Sequence, residues 1–482
     1  MTRPRLFIAA TGAANLASVL AMCDRAGVKA IVTDDPDALR DAERVLLPGV
    51  GSFGAAMAAL DRSGLATVLR ERASKKKPLM GICLGMQMAF CSSEEDEGIP
   101  GLGIIEGRVV KFRTALPLPQ LGWNRVQPGA SSSLVKPGWA YFANSYRADS
   151  IPSGYSVSSS SYGGEFCAAV EAREPGDDLP WLLLCQFHPE LSGAWGLDLF
   201  CRWMGLDGRK ADAPSISNTK QDAPPLFSSP RSTAARVIPC LDIKGGRVVK
   251  GVRFENLVDS GDPAELSLRY EREGADEIAL LDISATIEER KTALDALKRV
   301  RAAVSIPISV GGGIKTVEDA RRLLEAGADR VSVNSAAVRN PGLIPALAMR
   351  YGVQCVIAAI DAYSTSPGEW KVAIDAGRTK TGLDVRAWAS ACALAGAGEI
   401  LLTSIDRDGT GLGYDLDLVS AVAEAAPIPL IASGGAAEPG HFLRGLEAGA
   451  RAVLGAGVFH RSELSISDLK DYLARSGQEV RI

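Results

Sequence analysis

Residues 274–282 read GADEIALLD and residues 396–404 read GAGEILLTS, an offset of 122. The same offset relates RRLLEAGA at 321–328 to LRGLEAGA at 443–450. SVGGG at 309–313 answers ASGGA at 432–436, and CLDI at 240–243 answers AIDA at 359–362. Two copies of about 120 residues therefore fill the C-terminal half. Across them, short β-rich apolar runs alternate with longer helical patterns. The runs are RVIPCL (236–241), EIALLD (277–282), IPISV (306–310), DRVSV (329–333), CVIAAI (355–360), EILLTS (399–404), IPLIA (428–432) and AVLGA (452–456). Eight strands, each followed by a helix, predict a (β/α)8 barrel. An open doubly wound sheet is the alternative. The repeat favours closure, because two four-strand halves can pair edge to edge and leave no free edge.

Upstream of the repeat, residues 209–234 (RKADAPSISNTKQDAPPLFSSPRSTA) are rich in Pro and Ser with little apolar periodicity, as in a linker. If flexible, such a segment spans roughly 30 Å. It separates a domain at 1–208 from the barrel at 235–482. The first domain also alternates: RLFIAA, KAIVTD, RVLLPG, PLMGIC and WLLLCQF are buried-strand patterns with helical stretches between them. This predicts an open α/β sheet, with a further β-rich region near 101–170.

Composition narrows the function. Apolar residues make up 46% and charged residues 23% of 482, which is ordinary for a globular protein. The net charge of −4 lacks the basic excess of nucleic-acid binders. No run of ~18 apolar residues predicts a membrane span. The N-terminus lacks a secretory signal pattern. The expected location is the cytoplasm, or a plastid if a transit peptide has been removed. Nine cysteines without a C-x-x-C pair read as reduced thiols, with no metal site expected. Any imidazole base must be His188, His441 or His460, the three histidines of the sequence.

In the first domain, KKPLMGICLGMQMAF places Cys83 between Gly81 and Gly85, after an apolar run and before a helical pattern. Small flanking residues permit a sharp strand-to-helix turn that lifts the thiol out of the sheet. A helix N-terminus would raise its thiolate fraction. The plain alternative is a buried structural cysteine. LLLCQFHPE then supplies His188 just past a β-run, with Glu190 two residues on to orient the ring. Cys–His–acid is a nucleophilic constellation. Gly49 and Gly51, in LPGVGSFG, follow a third run and could expose backbone N–H groups to an oxyanion together with the Leu84 amide.

In the barrel, active sites lie at the C-terminal ends of strands. Asp242 and Asp361 end the first and fifth runs, at equivalent points of the two repeats. Opposed carboxylates suit general acid–base chemistry. Each taken alone could equally be a helix N-cap. Gly311, Gly312 and Gly313 follow the third run and Gly434 and Gly435 the seventh; Asn334 and Ser335 follow the fourth, and Ala456 and Gly457 the eighth. Glycine-rich turns that lead into helices present N–H groups to anions. Two such sites imply a substrate with a phosphate at each end; the bland alternative is relief of crowding at tight turns.

LPGVGSFG, GICLGMQ, YFANSY, YGGEF and QFHPE together resemble the class I glutamine amidotransferases, and among them the glutaminase subunits of imidazole glycerol phosphate synthases. RVIPCLDIKGGRVVKGVRFENL and TSIDRDGTGLGYDLDL resemble the cyclase subunits of the same synthases. The resemblance implies Cys83 as nucleophile, His188 as base and Glu190 as its partner, with Gln87, Ser145 and Tyr146 contacting glutamine. In the barrel it implies Asp242 and Asp361 as acid and base, assisted by Lys250 and Asp408. Asp282, Gly312, Asn334, Gly409, Thr410, Ser433, Gly434, Gly435, Ala456 and Gly457 would line the ribotide site. It also implies an ammonia gate of Arg236, Glu277, Arg330 and Glu399, which begin runs one, two, four and six; a stabilising ion network is the structural alternative. Asn144 stands where the family usually has His, Leu191 where it has Lys, and Gly245 where an acidic residue is common. AATGAAN at 9–15 replaces the usual Asp-Tyr-Gly start.

The implied reaction hydrolyses glutamine. The ammonia then converts phosphoribulosyl-formimino-aminoimidazole-carboxamide ribotide to imidazole glycerol phosphate and aminoimidazole carboxamide ribotide, a step of histidine biosynthesis. No cofactor is expected. The implied partners are the two small-molecule substrates, with no nucleic acid, no membrane and no separate glutaminase subunit. The alternatives are a glutaminase fused to a related sugar-phosphate isomerase barrel, and a silent scaffold that senses glutamine or nucleotides. A pyridoxal-phosphate synthase would need a Schiff-base lysine, and the aspartate pair argues against it.

Overall fold

The computed structural model describes residues 3–11, 16–49, 51–206, 233–252, 255–282 and 287–482, with side chains omitted at 250–252, 255–259 and 287–290. Most of the expected linker, the variant N-terminal residues 12–15 and the Lys250 side chain lie outside the described residues. The chain divides into two compact units: residues 1–116 with 124–233, and residues 117–123 with 234–482.

The first unit is built on a seven-stranded sheet. In spatial order its strands are Ser156–Ser161, Glu165–Ala172, Leu182–Cys185, Leu79–Ile82, Val45–Leu47, Arg5–Ala9 and Lys29–Thr33. The last five pair in parallel and the first two antiparallel. Helices cover the central strands, which read as continuous apolar runs because both faces are buried. Leu47, Leu79, Leu182 and Leu184 share one core with Phe53, Met57 and Leu60 of the helix Phe53–Ser63. The β-rich region near 101–170 divides: its last two strands join this sheet, while Arg108–Lys111 and Tyr146–Ala148 form a small sheet with Ser92–Ser93.

The second unit is a closed eight-stranded parallel barrel. Its strands are Arg236–Lys244, Ile278–Asp282, Ile308–Gly311, Arg330–Val333, Val356–Ser366, Glu399–Ser404, Leu430–Ser433 and Ala452–Gly455. The first pairs with the eighth, Val237 opposite Val453, which closes the ring. Ile238, Cys240, Ala279, Ile357, Leu401, Ile431, Ala452 and Leu454 form an apolar cluster at the barrel strands. Several helices start on side-chain caps, as at Thr316–Asp319, where hydroxyl and carboxylate each satisfy the other residue's backbone N–H.

Two strands run longer than their apolar runs predict. The first and fifth continue past the barrel and fold back as antiparallel ribbons: Arg247–Val252 with Glu255–Gly261, and Glu369–Ile374 with Thr379–Asp384. Both ribbons leave from the strands that carry Asp242 and Asp361. The turn at Gly245–Gly246, with φ of 56° and 76°, is a left-handed pair that glycine adopts without strain.

Candidate functional sites

Cys83 follows the strand Leu79–Ile82 and caps the helix Leu84–Met88, at φ 49° and ψ −106°. This is a costly conformation for a side-chain-bearing residue, and it leaves the thiol facing Gln186 and His188. The flanking glycines are required by packing. A Cβ on Gly81 would lie 2.9 Å from the Gly85 carbonyl, and one on Gly85 would lie 2.1 Å from the Leu47 oxygen. The Cys83 N–H donates to the Cys185 carbonyl at 2.6 Å. The strand Leu182–Cys185 thereby delivers Gln186 and His188 to the turn.

His188 Nδ1 lies 2.9 Å from Glu190 Oε1, and both side chains are buried. Burial alone would push the imidazole down; the facing Cys83 sulfur and Glu190 carboxylate outweigh it and hold the ring well above its ordinary value. The ring is thus held between the Cys83 sulfur and the Glu190 carboxyl group. Ser192 fixes the backbone here: its hydroxyl donates to the His188 carbonyl at 2.6 Å and accepts from the Tyr141 N–H at 3.0 Å. All three residues of the expected triad are brought together.

Gly49 presses on this turn, 2.7 Å from the Leu84 nitrogen when measured from an added Cβ. Gly51 follows at φ 114°, while Val50 lies outside the described residues. Gln87 is buried and donates to the Tyr146 carbonyl at 3.1 Å and to Gln186 Oε1 at 3.2 Å. Ser145 is half-buried, and its carbonyl accepts from Phe112 N–H at 3.0 Å. Asn144 donates to the Tyr146 carbonyl at 2.9 Å, and Leu191 is buried in the turn Pro189–Leu191.

Sequence reasoning missed two groups in this site. Gln186 donates to Cys83 Sγ at 3.7 Å; its position two residues before His188, on the same face of an extended segment, was the available signal. Glu95 accepts from Phe53 N–H at 3.2 Å and Asp96 from Gly54 N–H at 2.7 Å, at the start of the helix that follows the Gly49–Gly51 loop. Burial lifts Glu95 to about 7 against the Phe53 N–H, with Asp96 adding to the rise. Burial also raises Tyr146, and Glu95 and Asp96 raise it further, so these groups share one neighbourhood.

The barrel carries the second site. Asp242 and Asp361 stand on the first and fifth of eight strands, opposite positions of the ring, and both are buried or nearly so. Asn334 donates through Nδ2 to Asp361 Oδ2 at 2.9 Å. Burial raises Asp361 to about 6; Asn334 opposes the rise and the charge of Asp408 adds to it. Asp408, Gly409 and Thr410 form a tight turn after the sixth strand, with the Asp408 N–H on the Ser404 carbonyl at 2.9 Å and the Thr410 hydroxyl on the Arg407 carbonyl at 2.6 Å.

The repeat persists in backbone detail. Asn334 and Ala456, 122 residues apart, share a rare conformation: φ −125°, ψ −96° and φ −124°, ψ −80°. Gly312 and Gly434 sit at φ 99° and 97°. A Cβ on Gly312 would fall 2.0 Å from the Asp282 carbonyl, and one on Gly434 2.8 Å from that of Ser404. Ser433 ends the seventh strand and Gly457 opens the helix Gly457–His460. The two expected anion-binding turns are therefore alike in conformation.

At the other end of the barrel, Arg236, Glu277, Arg330 and Glu399 form one buried network. Arg236 bonds Glu277 at 2.7 Å and Glu399 through its other nitrogen; Arg330 bonds Glu399 at 2.5 Å and Glu277 at 3.4 Å. Two cations balance two anions. Burial would raise Glu399, but Arg236 and Arg330 outweigh it and hold the carboxyl below its ordinary value.

A strained cysteine turn facing a buried His–Glu pair on an open, mostly parallel sheet, followed by a barrel with two repeat-related glycine turns, is the architecture of a class I glutamine amidotransferase fused to a cyclase-type (β/α)8 barrel. Comparison with known proteins agrees. Residues 15–196 match the class-I glutamine amidotransferase family, and residues 236–465 match the family described as histidine biosynthesis protein. Over 252 residues the chain is 56% identical to imidazole glycerol phosphate synthase subunit HisF of Pyrobaculum aerophilum, and over 250 residues it is 54% identical to that of Metallosphaera sedula. Each match covers 99% of the relative and 52% of this chain. The chain belongs to the imidazole glycerol phosphate synthase family, with glutaminase and HisF-type cyclase domains on one polypeptide.

Proposed function

We propose that this chain is a bifunctional synthase that hydrolyses glutamine and uses the ammonia to make imidazole glycerol phosphate and aminoimidazole carboxamide ribotide. The observation that carries the proposal is the assembled Cys83–His188–Glu190 set on the same polypeptide as a HisF-type barrel. Cys83 attacks the side-chain amide of glutamine. The Gly49–Gly51 loop and the Leu84 amide stabilise the oxyanion. His188 protonates the departing ammonia, and water then releases glutamate from the thioester. Gln87, Ser145 and Tyr146 hold the glutamine.

In the barrel, the Gly312–Asn334 and Gly434–Ala456 turns take the two phosphates of phosphoribulosyl-formimino-aminoimidazole-carboxamide ribotide. Asp361, with a carboxyl lifted to about 6, can both hold and release a proton near neutrality. Asp242 takes the complementary role, with Lys250 and Asp408 assisting. The Arg236–Glu277–Arg330–Glu399 network gates ammonia into an apolar interior that favours the uncharged molecule. Ammonia protonates in neutral water and is then no nucleophile, so direct transfer preserves it. Linking the domains adds an effective concentration of order mM.

The test is glutamate release with and without the ribotide. Turnover that is slow alone and rises many-fold with the ribotide supports the synthase. Hydrolysis indifferent to the ribotide favours the isomerase fusion or the scaffold.

A further inference from the structure

The imidazole of His441 touches none of the groups assigned above, yet it is buried beneath both loops that frame one end of the barrel site. It lies on the helix Pro439–Glu447, which follows the Gly434–Gly435 turn. Its Nδ1 accepts from the Ala437 N–H at 3.2 Å. That bond fixes the tautomer: Nδ1 keeps a lone pair, so the proton sits on Nε2, which lies 3.2 Å from Glu438 Oε1.

The ring face meets the other loop. A Cβ on Gly413 would lie 2.9 Å from His441 Cδ2 and 3.1 Å from Cγ, so only glycine fits at that point. Gly413 in turn donates its N–H to the Gly435 carbonyl at 2.8 Å. Gly435 is wedged just as closely: a Cβ there would fall 2.5 Å from the Gly413 oxygen and 2.8 Å from that of Arg407. One imidazole thus supports a clasp between the loop bearing Asp408 and the turn of Gly434 and Gly435. The base of the first loop has its own anchor, since Tyr414 stacks edge-on against Phe442 and bonds the Leu454 carbonyl at 2.9 Å.

We propose that His441 is a positioning residue for the barrel reaction: its ring holds the Gly434–Gly435 turn against the Asp408 loop, in the shape that receives one substrate phosphate. This rests on the ribotide reading of the barrel given above. The acceptor at Nδ1 sets the direction of the Ala437 N–H, and the flat ring sets the height of Gly413. Both act on binding geometry more than on proton transfer, so the effect falls on KM.

The test uses the full chain, with ammonia and ribotide as substrates and glutamine hydrolysis as an internal control. His441→Ala should raise the KM for ribotide about tenfold with kcat changed less than threefold, and leave basal glutamine hydrolysis unchanged. His441→Asn, whose Oδ1 replaces the acceptor at Nδ1, should bring KM back to within about twofold of the parent. A KM that stays at the parent value in His441→Ala overturns the inference. So does an equal KM defect in both variants at matched thermal stability, which would make the ring mere filling. If His441→Ala does not fold, a parent-like KM in His441→Asn, set against a defect in His441→Leu, decides for the acceptor, and equal KM values in these two decide against it. A parent that turns over no ribotide fails the synthase proposal instead. The inference is then read from inorganic phosphate, whose Kd at the barrel should rise in His441→Ala and recover in His441→Asn.

Discussion

A methyl group added to the α-carbon of Gly49 would lie 1.7 Å from the carbonyl oxygen of Ile82, the residue before the candidate nucleophile. The loop proposed to hold the oxyanion is therefore in backbone contact with the turn that presents the thiol. Neither can shift alone. Gly49→Ala should cost the first unit about 2–4 kcal/mol, because the contact is with backbone and cannot be relieved by a rotamer change. Glutamine hydrolysis should fall with it, while the ammonia-driven barrel reaction persists. Thermal unfolding of the variant, followed together with the two activities, checks this.

Glu190 holds the His188 ring through Nδ1 and shares its burial. Glu190→Gln keeps the shape and can still accept at this position, but removes the charge that sustains an imidazolium. Glutaminase kcat should drop about 10²–10⁴-fold. Cys83→Ala should abolish glutamine hydrolysis altogether. Both variants should keep full activity when ammonia replaces glutamine. Steady-state rates with each nitrogen source separate the outcomes.

The parts of the molecule legible in the sequence are those fixed by local pattern. All eight barrel strands were visible, because runs such as EIALLD and EILLTS are short, apolar and repeated. The Cys83–His188–Glu190 cluster was visible because Gly81, Gly85 and the QFHPE segment each carry their own local constraint. What escaped depends on contacts between distant segments. Glu95 reaches Phe53 across 42 residues, and an acidic run ordinarily reads as a solvated face. The ribbons after the first and fifth strands were hidden because the strands continue beyond their apolar runs into polar residues. Their turns, Gly245–Gly246 and Pro367–Gly368, were the signal available. His441 stood out as one of three histidines, but its part depends on Gly413, far away on another loop.

The carboxyl of Asp361 gives a pH-dependent signature. Its value in the folded chain is lifted from 3.8 to about 6, chiefly by burial. A raised carboxyl contributes stability that is fully present below the unfolded value and is lost as pH climbs through the folded one. Asp361→Asn removes this dependence. The variant should match the parent near pH 4, gain on it between pH 4 and 6, and stay about 2–3 kcal/mol ahead above that. The same substitution should abolish ammonia-driven turnover, since it removes the proposed proton carrier. Unfolding of parent and variant across pH 4 to 8, beside barrel assays, tests both parts.

The four-residue ion network at the start of the barrel strands invites a test that separates stability from coupling. Glu399 faces both Arg236 and Arg330 in a fully buried setting. Glu399→Gln leaves two cations against one carboxylate, and should destabilise the barrel by about 3–5 kcal/mol. The double variant Arg330→Met, Glu399→Leu removes one charge of each sign and replaces them with apolar groups. It should lose little stability, because the desolvation cost of both ions disappears with them. A gate makes a further demand. With glutamine as nitrogen source, the double variant should release more glutamate than product, whereas the parent should form them one to one. If the double variant folds like the parent and still couples one to one, the network serves the barrel's stability alone and the gate role is wrong.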